Sequence, residues 1–523
     1  MPTGEDDVPT GTGRAAPERS GLDRIGSGRA ASDRAAPERT LGGRAAPDAA
    51  SALGSRPIGL LLWQSCSQTT LSVGLWGVYA LTNAWFVARG VGAAALAAVS
   101  LVTPVALVLG AVSTTVGVGG ASLVSRSLGA GDRARAARVA GNAFIVYWSS
   151  AALIGLSGVL FLDPLLTLLG ATPETRGYAY DYALVILAGA VTATGFSGLV
   201  RAEGRMRFST LLWVLPVLTQ ITLDPLLVLG LGLGVRGAAL GTVGGQTVSL
   251  GMSLWFFFGQ RDRPYRIALA DLRPHGPTVL GLVAVGASSL LAGLGATLLV
   301  TLANHLLVGA GGATALGAFA LCARIGTFVA MPQTGIAQGL QPIVGFNAGR
   351  GETARVARAT TLALWATVLY GVGACLALFV LARPMAGLFT SDPVAVDQAV
   401  RALRILALVH PLAGVAPLVS ARFQALGAPR AAYLISVGGT SGIRVPALLV
   451  LGGSGVVGLW VSFPVAELLV AGLALFLLRR GSVVRRPGSS LRPRARGPWP
   501  GARGAPRRGS GRGGRARSGW PGG

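Results

Sequence analysis

One short apolar segment of this sequence carries residue types that could bind a proton or a cation. Asp224 lies in the segment Thr219-Gln-Ile-Thr-Leu-Asp-Pro-Leu226, and Gln220 precedes it by one helical turn, on the same face. Pro225 has no N–H group, so the carbonyl of Ile221 loses its helical partner. A carboxylate, an amide oxygen and a free carbonyl suit a proton or a small hard cation such as Na⁺, which prefers oxygen ligands.

Two other oxygen-bearing side chains are expected at a similar level along neighbouring predicted helices. With a rise of about 1.5 Å per residue, Asp224 lies about 10 Å below the outer end of its predicted helix, Thr242 about 9 Å and Asn83 about 6 Å. We therefore predict a cation-coupling site formed by Asp224, Gln220, Asn83 and Thr242. The other interpretation is that Asp224 only braces neighbouring helices through hydrogen bonds.

Few other ionisable or polar groups lie in the apolar segments. Three residues are predicted to line a substrate cleft: Arg324, Gln341 and Asn304. Arg324 either reaches this cleft and meets an anionic partner or bonds backbone carbonyls. Glu467 and Arg444 lie in neighbouring predicted helices and are expected to form a structural ion pair.

The sequence contains no catalytic or ATP-binding pattern. It has no Lys, which excludes a Walker A phosphate-binding loop. Its three His and three Cys are scattered singly and fit no metal spacing. We therefore expect neither an enzyme nor ATP-driven transport. We expect no bound metal or organic cofactor, and the only bound ion expected is the coupling ion, H⁺ or Na⁺.

The composition places these residues in a membrane protein. The 523 residues are 51% hydrophobic and 12% charged, with a mean hydropathy of +0.60, whereas soluble domains have about 25% charged residues. Apolar runs long enough to span a bilayer recur along the chain and predict an all-α membrane protein with twelve transmembrane helices. We place these helices near 58–87, 93–123, 138–162, 178–200, 208–231, 236–258, 278–308, 313–345, 357–382, 399–421, 431–453 and 456–478.

The arginines indicate how the helices are oriented. Alternate loops hold 16 Arg against 6 in the opposite loops and helix ends, and residues 479–523 hold 13 more. Because cytoplasmic loops are enriched in basic residues, both termini are predicted to lie in the cytoplasm. We expect a multi-pass protein of the plasma membrane of a bacterium.

Two hydrophilic tails flank the apolar body. Residues 1–56 repeat an Arg-Ala-Ala-Pro motif, contain few large apolar side chains and are predicted to be disordered. Residues 479–523 are rich in Arg, Gly and Pro and are also predicted to be disordered. The Arg-rich tail is suited to contact anionic lipid. It has neither the interleaved aromatic residues nor the fold that specific nucleic-acid binding requires.

The body of the chain contains an internal repeat. Residues 91–140 match residues 311–360 at a nearly constant shift, with charged positions in register. The aligned pairs include Gly92 and Gly312, Gly119 and Gly339, Gly129-Ala-Gly-Asp132 and Gly349-Arg-Gly-Glu352, and Gly234-Val-Arg-Gly237 and Gly455-Val-Val-Gly458. An even number of helices in each half gives both halves the same topology, as in transporters built from parallel repeats.

The repeat predicts two pseudo-symmetric six-helix lobes, residues 57–258 and 278–478, joined by a cytoplasmic loop at 259–277. The stretch of the second lobe that matches Asp224 instead places Arg444 within a residue or two of that position. A residue that only braced helices would more often be kept in both halves. The asymmetry therefore favours a functional role for Asp224.

Several stretches of the body are distinctive in combination. They include Leu123-Val-Ser-Arg-Ser-Leu-Gly-Ala-Gly-Asp132, Leu223-Asp-Pro-Leu-Leu227, Gly339-Leu-Gln-Pro-Ile-Val-Gly-Phe-Asn347 and Gln424-Ala-Leu-Gly427. Over residues 58–478 the chain resembles the multidrug and toxic compound extrusion (MATE) family, nearest to its DNA-damage-inducible protein F branch. The resemblance implies a V-shaped pair of lobes around a central cleft. It also implies export of organic cations or lipophilic compounds, driven by inward H⁺ or Na⁺ movement.

The resemblance also implies roles for individual residues. Asp224 is similar to the acid in the family's fifth helix, Thr242 to the threonine in its sixth, and Gln220 occupies a position usually held by Asn. Asn83 stands where the family usually has an Asp, so one of two coupling carboxylates is missing. This departure favours H⁺ over a two-carboxylate Na⁺ site. A second departure is that no proline lies in the middle of the first predicted helix.

Other classes of function stay open from the sequence. A flippase for lipid-linked precursors is the alternative transporter, although such proteins often have more helices and a more cationic cleft. A non-transporting membrane scaffold that uses the basic tail is a further alternative. For a transporter we expect a drug-like small molecule as substrate, membrane lipid around the helices and a monomeric state.

Overall fold

The computed structural model describes residues 49–193, 196–387 and 393–483. The regular secondary structure in these ranges is helical, without a strand, so the all-α fold is confirmed. Most of the two predicted disordered tails lies outside the described residues. The last helix continues to Val483 and so extends into the predicted tail 479–523.

The helices follow one another along the chain, with short connections between most neighbours. In the first half they are α1 (Ala49–Ser55), α2 (Ile58–Gly90), α3 (Ala93–Gly129), α4 (Arg133–Leu160), α5 (Leu162–Leu168), α6 (Pro173–Ala188), α7 (Ser197–Ala202), α8 (Met206–Gly230) and α9 (Gly234–Leu254). In the second half they are α10 (Gly276–Gly312), α11 (Thr314–Gly349), α12 (Thr353–Gly387), α13 (Pro393–Ala425), α14 (Pro429–Gly452) and α15 (Val456–Val483).

Many of these helices fit a lipid environment. Nine helices in the described ranges are long and apolar enough to cross a membrane, or ten if the bent pair Pro173–Ala188 and Ala190–Ala202 forms one span. Large apolar side chains lie on the outside of the bundle, where Leu153 is 69% and Leu376 62% exposed. Such exposure is expected where lipid tails replace water. The count of twelve spans stays a prediction.

The two halves make their closest contact, which we call the seam, at one end of the bundle. We call the end that contains the α3–α4 and α11–α12 turns the seam end, and the opposite end the far end. A Cβ atom on Gly119 would overlap the carbonyl oxygen of Leu282, and one on Gly286 would overlap that of Thr115. The same relation joins Gly129 with Phe346 and Gly349 with Arg126. A Cβ atom on Gly335 would overlap Thr70, and one on Gly339 would lie tightly against the backbone of Cys66. Glycine therefore lets backbone pack directly against backbone between the halves.

Buried apolar side chains form a common core at the seam end and separate cores at the far end. The common core contains residues of both halves, such as Val124 of α3 and Ile343 of α11. At the far end, the first half has its own core around Val102. The second half has another around Leu307 and Trp460. The halves therefore share a core at one end only.

The backbone at the turns supports the internal repeat. Gly92 and Gly312 have φ values of 119° and 64°, and Gly131 and Gly351 have values of 76° and 79°. These left-handed conformations favour glycine because it has no Cβ atom. Residues that match at a shift of 220 in the sequence thus occupy equivalent turns in the two halves.

Part of the segment predicted to be disordered, residues 1–56, is folded. Its last residues form α1, in which Leu53 is only 2% exposed. Asn347 Nδ2 donates to the Leu53 carbonyl at 3.0 Å, and Arg355 Nη2 donates to the Arg56 carbonyl at 2.7 Å. The disorder prediction is wrong for these residues, because partners almost 300 positions away in the chain capture their carbonyls.

The predicted connecting loop, 259–277, is anchored at the seam end by a buried ion pair. Arg263 Nε donates to Glu203 Oε2 at 3.2 Å, and the Tyr265 hydroxyl donates to Glu203 Oε1 at 2.6 Å. The Arg263 guanidinium also lies 4.5 Å from the centroid of the Phe257 ring. Burial, followed by the charge of Glu203, raises the pKa of Tyr265 well above its usual range.

The seam predicts different outcomes for two Gly→Ala substitutions in α3. Gly119→Ala should lower thermal stability by about 1–3 kcal/mol, because the new methyl group must push α10 away. Gly110→Ala is the control, because nothing lies within 4 Å of its added Cβ, and it should be neutral or stabilising by up to about 1 kcal/mol. Thermal unfolding in detergent, followed by tryptophan fluorescence, measures both. Equal midpoints would contradict the assigned contact.

The loop anchor predicts a dependence of stability on charge and on pH. Glu203→Gln should lower the free energy of unfolding by about 3–5 kcal/mol, because it leaves the buried Arg263 without its counter-charge. The raised pKa of Tyr265 means that the unfolded chain loses this proton first. Stability should therefore fall as the pH rises above the ordinary tyrosine value of about 10. Thermal unfolding between pH 8 and 11 measures this fall, which should be smaller in Tyr265→Phe. The same fall in both proteins would exclude Tyr265 as its source.

Candidate cation-coupling site

Asp224 lies where the hydrogen-bonding pattern of α8 changes. The α-helical pattern extends to Asp224, and Pro225–Gly230 form a π-helical turn. Proline lacks the N–H group that the preceding turn would use, and π-helical turns are frequent at functional sites. The Asp224 side chain is fully buried. By helical rise it lies about 9 Å from the far end of α8.

Hydrogen bonds connect Asp224 with α9 through Gln220. Gln220 Nε2 donates to Asp224 Oδ2 at 3.2 Å and to Thr242 Oγ1 at 3.4 Å. The Thr242 hydroxyl donates to the Ala238 carbonyl at 3.1 Å, so its oxygen can accept from Gln220. The structure thus brings three of the four predicted site residues into one buried cluster.

Asn83 of α2 forms another wall of this cluster. Its side chain is buried and lies within reach of the Asp224 carboxyl group, and its Nδ2 has no partner with hydrogen-bond geometry among the described residues. Asp224 Oδ1 and Gln220 Oε1 are also buried without a hydrogen-bond partner among the described residues. Buried polar atoms without partners are costly. These oxygens are therefore suited to a proton or to a cation that takes oxygen ligands.

Gly241 allows the carboxylate to lie directly against α9. A Cβ atom at this position would overlap Asp224 Oδ1. Gly241 is absent from the residues predicted for the site, although its place next to Thr242 could have indicated it. The buried acid thus depends on a small residue in the facing helix.

In the second half, a charged side chain of α14 is paired with one of α15. Arg444 Nη2 of α14 donates to Glu467 Oε2 of α15 at 2.9 Å, which confirms the predicted ion pair. Asp224, in the related helix of the first half, forms no ion pair within the described ranges. The buried acid of the second half, Glu467, thus has a basic partner, whereas Asp224 of the first half has none among the described residues.

Of the three residues predicted to line a substrate cleft, two lie at a similar depth and the third lies toward the seam end. Gln341 is buried about 12 Å from the seam end of α11, where it donates to the Val118 carbonyl at 3.4 Å. Asn304 is half-buried about 12 Å from the far end of α10. Arg324 is exposed about 15 Å from the far end of α11. The structure thus separates Gln341 from the other two along the bundle, and the role of all three in a cleft stays a prediction.

Two polar contacts across the seam are absent from the predicted site residues. Arg201 Nη2 donates to Gln338 Oε1 at 3.3 Å and joins α7 to α11. The Ser122 hydroxyl donates to the Gln424 carbonyl at 2.5 Å and joins α3 to α13. Gln424 belongs to a stretch that is distinctive in the sequence, which is a signal that could have identified it. Arg201 gives no local signal, because its partner is 137 residues away.

The apolar exterior, the helical bundle and a buried acid without a basic partner among the described residues are typical of a multi-pass membrane transporter. A family model described as MatE matches residues 70–226 and 291–450, which is more than half of the chain. The chain therefore belongs to the MATE family, and the resemblance in the sequence is confirmed.

Known relatives match along most of the chain. The FAD transporter of Shewanella oneidensis is 24% identical over 439 residues, which cover 82% of this chain and 95% of that protein. The multidrug export protein MepA of Staphylococcus aureus (strain N315) is 28% identical over 429 residues, covering 79% of this chain and 91% of MepA. A solved outward-facing multidrug resistance MATE family transporter superposes with a TM-score of 0.77 at 25% identity, covering 82% of this chain and 97% of that one.

The close approach of Gly241 to Asp224 predicts a specific functional defect. Gly241→Ala should displace the carboxylate and slow transport about tenfold or more, the effect of about 1.4 kcal/mol on a rate. Gly251→Ala in the same helix has no atom within 4 Å of its added Cβ and should transport like the wild type. Dye efflux from cells with matched expression measures both variants. Equal efflux would show that the contact between Gly241 and Asp224 is unimportant.

Proposed function

We propose that this chain is a secondary active exporter of drug-like small molecules, driven by inward movement of H⁺ or Na⁺ bound at Asp224. The observation that carries the proposal is a fully buried carboxylate that has no basic partner among the described residues and lies beside Gln220, whose buried Oε1 also lacks a partner among them. Ionisable groups at membrane depth are costly and commonly mark ion or proton pathways. A bound proton or Na⁺ offsets the charge of Asp224 and so reduces this cost.

The residues around Asp224 favour H⁺ as the coupling ion. Asn83 supplies an amide where MATE proteins usually have a second acid, so the described site holds one negative charge. A proton needs only the carboxylate. Na⁺ would need further oxygen ligands, and Gln220 Oε1 is a buried oxygen without a partner among the described residues. Na⁺ is therefore the alternative that an experiment must separate.

The packing between the halves supports an alternating-access cycle. The halves share a core at the seam end but have separate cores at the far end, near which Asp224 lies. The loops at the seam end are the arginine-rich ones, so we infer that this end faces the cytoplasm, together with both termini. The structure then corresponds to an outward-facing state, in line with its likeness to a solved outward-facing MATE transporter.

The relatives support a small-molecule substrate. MepA is a multidrug export protein, the Shewanella relative is an FAD transporter, and one similar structure is of a MATE protein in complex with MaL6. We infer that this chain exports small molecules across the plasma membrane of a bacterium. The flippase and scaffold alternatives have no specific observation in their favour.

Asp224→Asn tests the coupling role directly. The substitution keeps the size of the side chain but removes its charge, so drug resistance in a hypersensitive bacterial host should fall about tenfold or more. Asp181→Asn is the matched control, because Asp181 forms an exposed ion pair with Arg236 at 2.7 Å and should tolerate the change. Resistance equal to the wild type for Asp224→Asn, at equal expression, would reject Asp224 as the coupling group.

Proteoliposomes with separately imposed pH and Na⁺ gradients identify the ion. We expect a pH gradient alone to drive substrate movement in the wild type and in Asp181→Asn, but not in Asp224→Asn. Transport driven by a Na⁺ gradient alone would assign Na⁺ to the site. Transport by Asp224→Asn under either gradient would contradict the proposal.

A further inference from the structure

A cavity of about 270 Å³ lies at the seam end, away from the Asp224 site. Its walls come from two helices, one in each half of the chain. The start of α2 and the first turns of α12 contribute Pro57, Ile58, Gly59, Ala354, Arg355 and Arg358. An occupant of this cavity would therefore touch both halves at once.

The cavity has a strongly basic wall. Arg355 is fixed in place, because its Nε donates to Asn347 Oδ1 at 2.9 Å and its Nη2 to the Arg56 carbonyl at 2.7 Å. Arg358 is exposed and forms no ion pair within the described ranges. The nearby acid Glu352 is exposed and likewise forms no ion pair in these ranges. The positive charge of the wall is thus not neutralised by the described part of the protein.

The neighbouring side chains place the cavity at the surface of the membrane. Trp63 of α2 is 74% exposed and Leu60 is 47% exposed, although both are apolar. Exposed tryptophan is typical of the boundary between lipid tails and headgroups. Gly59 precedes Trp63 by four residues, or about 6 Å along the helix toward the seam end. The basic wall therefore lies at the level of the lipid phosphates.

We propose that this cavity binds the phosphate of an anionic phospholipid headgroup. Guanidinium groups pair well with phosphate oxygens, and Arg358, which has no ion pair within the described ranges, can do so at this level. The bound headgroup contacts both α2 and α12 and so stabilises the contact between the halves at the seam end. Anionic lipid then favours the state in which this end is closed. This inference does not depend on the coupling role of Asp224.

The test is lipid binding by the full chain, delipidated in a neutral detergent. Phosphatidylglycerol, phosphatidylcholine and inorganic phosphate are titrated separately, and thermal stabilisation gives the half-saturating concentration of each. Phosphatidylglycerol should stabilise the wild type at the lowest concentration. Arg358→Gln should weaken this effect about fivefold, the contribution of one arginine near an anionic surface. Arg358→Lys keeps the charge and should retain most of the effect.

Arg207→Gln is the matched control, because Arg207 is also exposed at the seam end but lies in α8, outside the cavity. It should bind phosphatidylglycerol like the wild type. If Arg358→Gln does not fold, Ala354→Asp places a negative charge on the same wall and should also weaken binding.

Two results would overturn the assignment. One is an equal loss of phosphatidylglycerol binding in the cavity variant and in Arg207→Gln, which would indicate general attraction to a basic surface. The other is equal stabilisation by inorganic phosphate and by phosphatidylglycerol, which would assign the cavity to a free anion instead of a lipid.

Discussion

The direct contact of backbone with backbone at the seam is the constraint on which the rest of the structure depends. Lipid tails are as apolar as the side chains they surround, so helices in a membrane are held together by close packing and hydrogen bonds. Gly119 and Gly286 bring α3 and α10 into such contact. The hydroxyl of Ser122, one turn along α3 from Gly119, donates to the carbonyl of Gln424 in α13. A wider separation of α3 and α13 would break this hydrogen bond between the halves.

Helix α2 links the candidate coupling site to the seam. Toward its far end it carries Asn83, beside Asp224. Toward its seam end, the Cys66 thiol and the Thr70 hydroxyl donate to carbonyls of α11 at 3.8 and 3.5 Å. A change of charge at a site confined to the first half thus has a continuous physical route to the second. A contiguous route of this kind is one way in which two distant parts of a protein become energetically coupled.

Patterns within one helix, or between the repeats, were predictable from the sequence, whereas contacts made by the fold were not. The spacing of four residues placed Gln220 against Asp224, and the constant shift placed Gly92 and Gly312 in equivalent turns. The helix α1 was missed because its carbonyls are bonded by residues such as Asn347, far along the chain. The predicted cleft residues were chosen for their polarity in apolar segments. Such a choice fixes neither the depth of a residue nor the direction in which its helix faces.

Because the halves are in close contact at one end only, a small tilt of a long helix moves its opposite end over a large distance. Helix α3 has 37 residues and is therefore about 55 Å long. With its seam end held against the second half, a tilt of about 10° moves its far end by about 10 Å. Because each half has its own core at that end, such a tilt leaves the packing inside each half intact. A modest rigid-body rotation is thus enough to widen or shut an aqueous passage of molecular size.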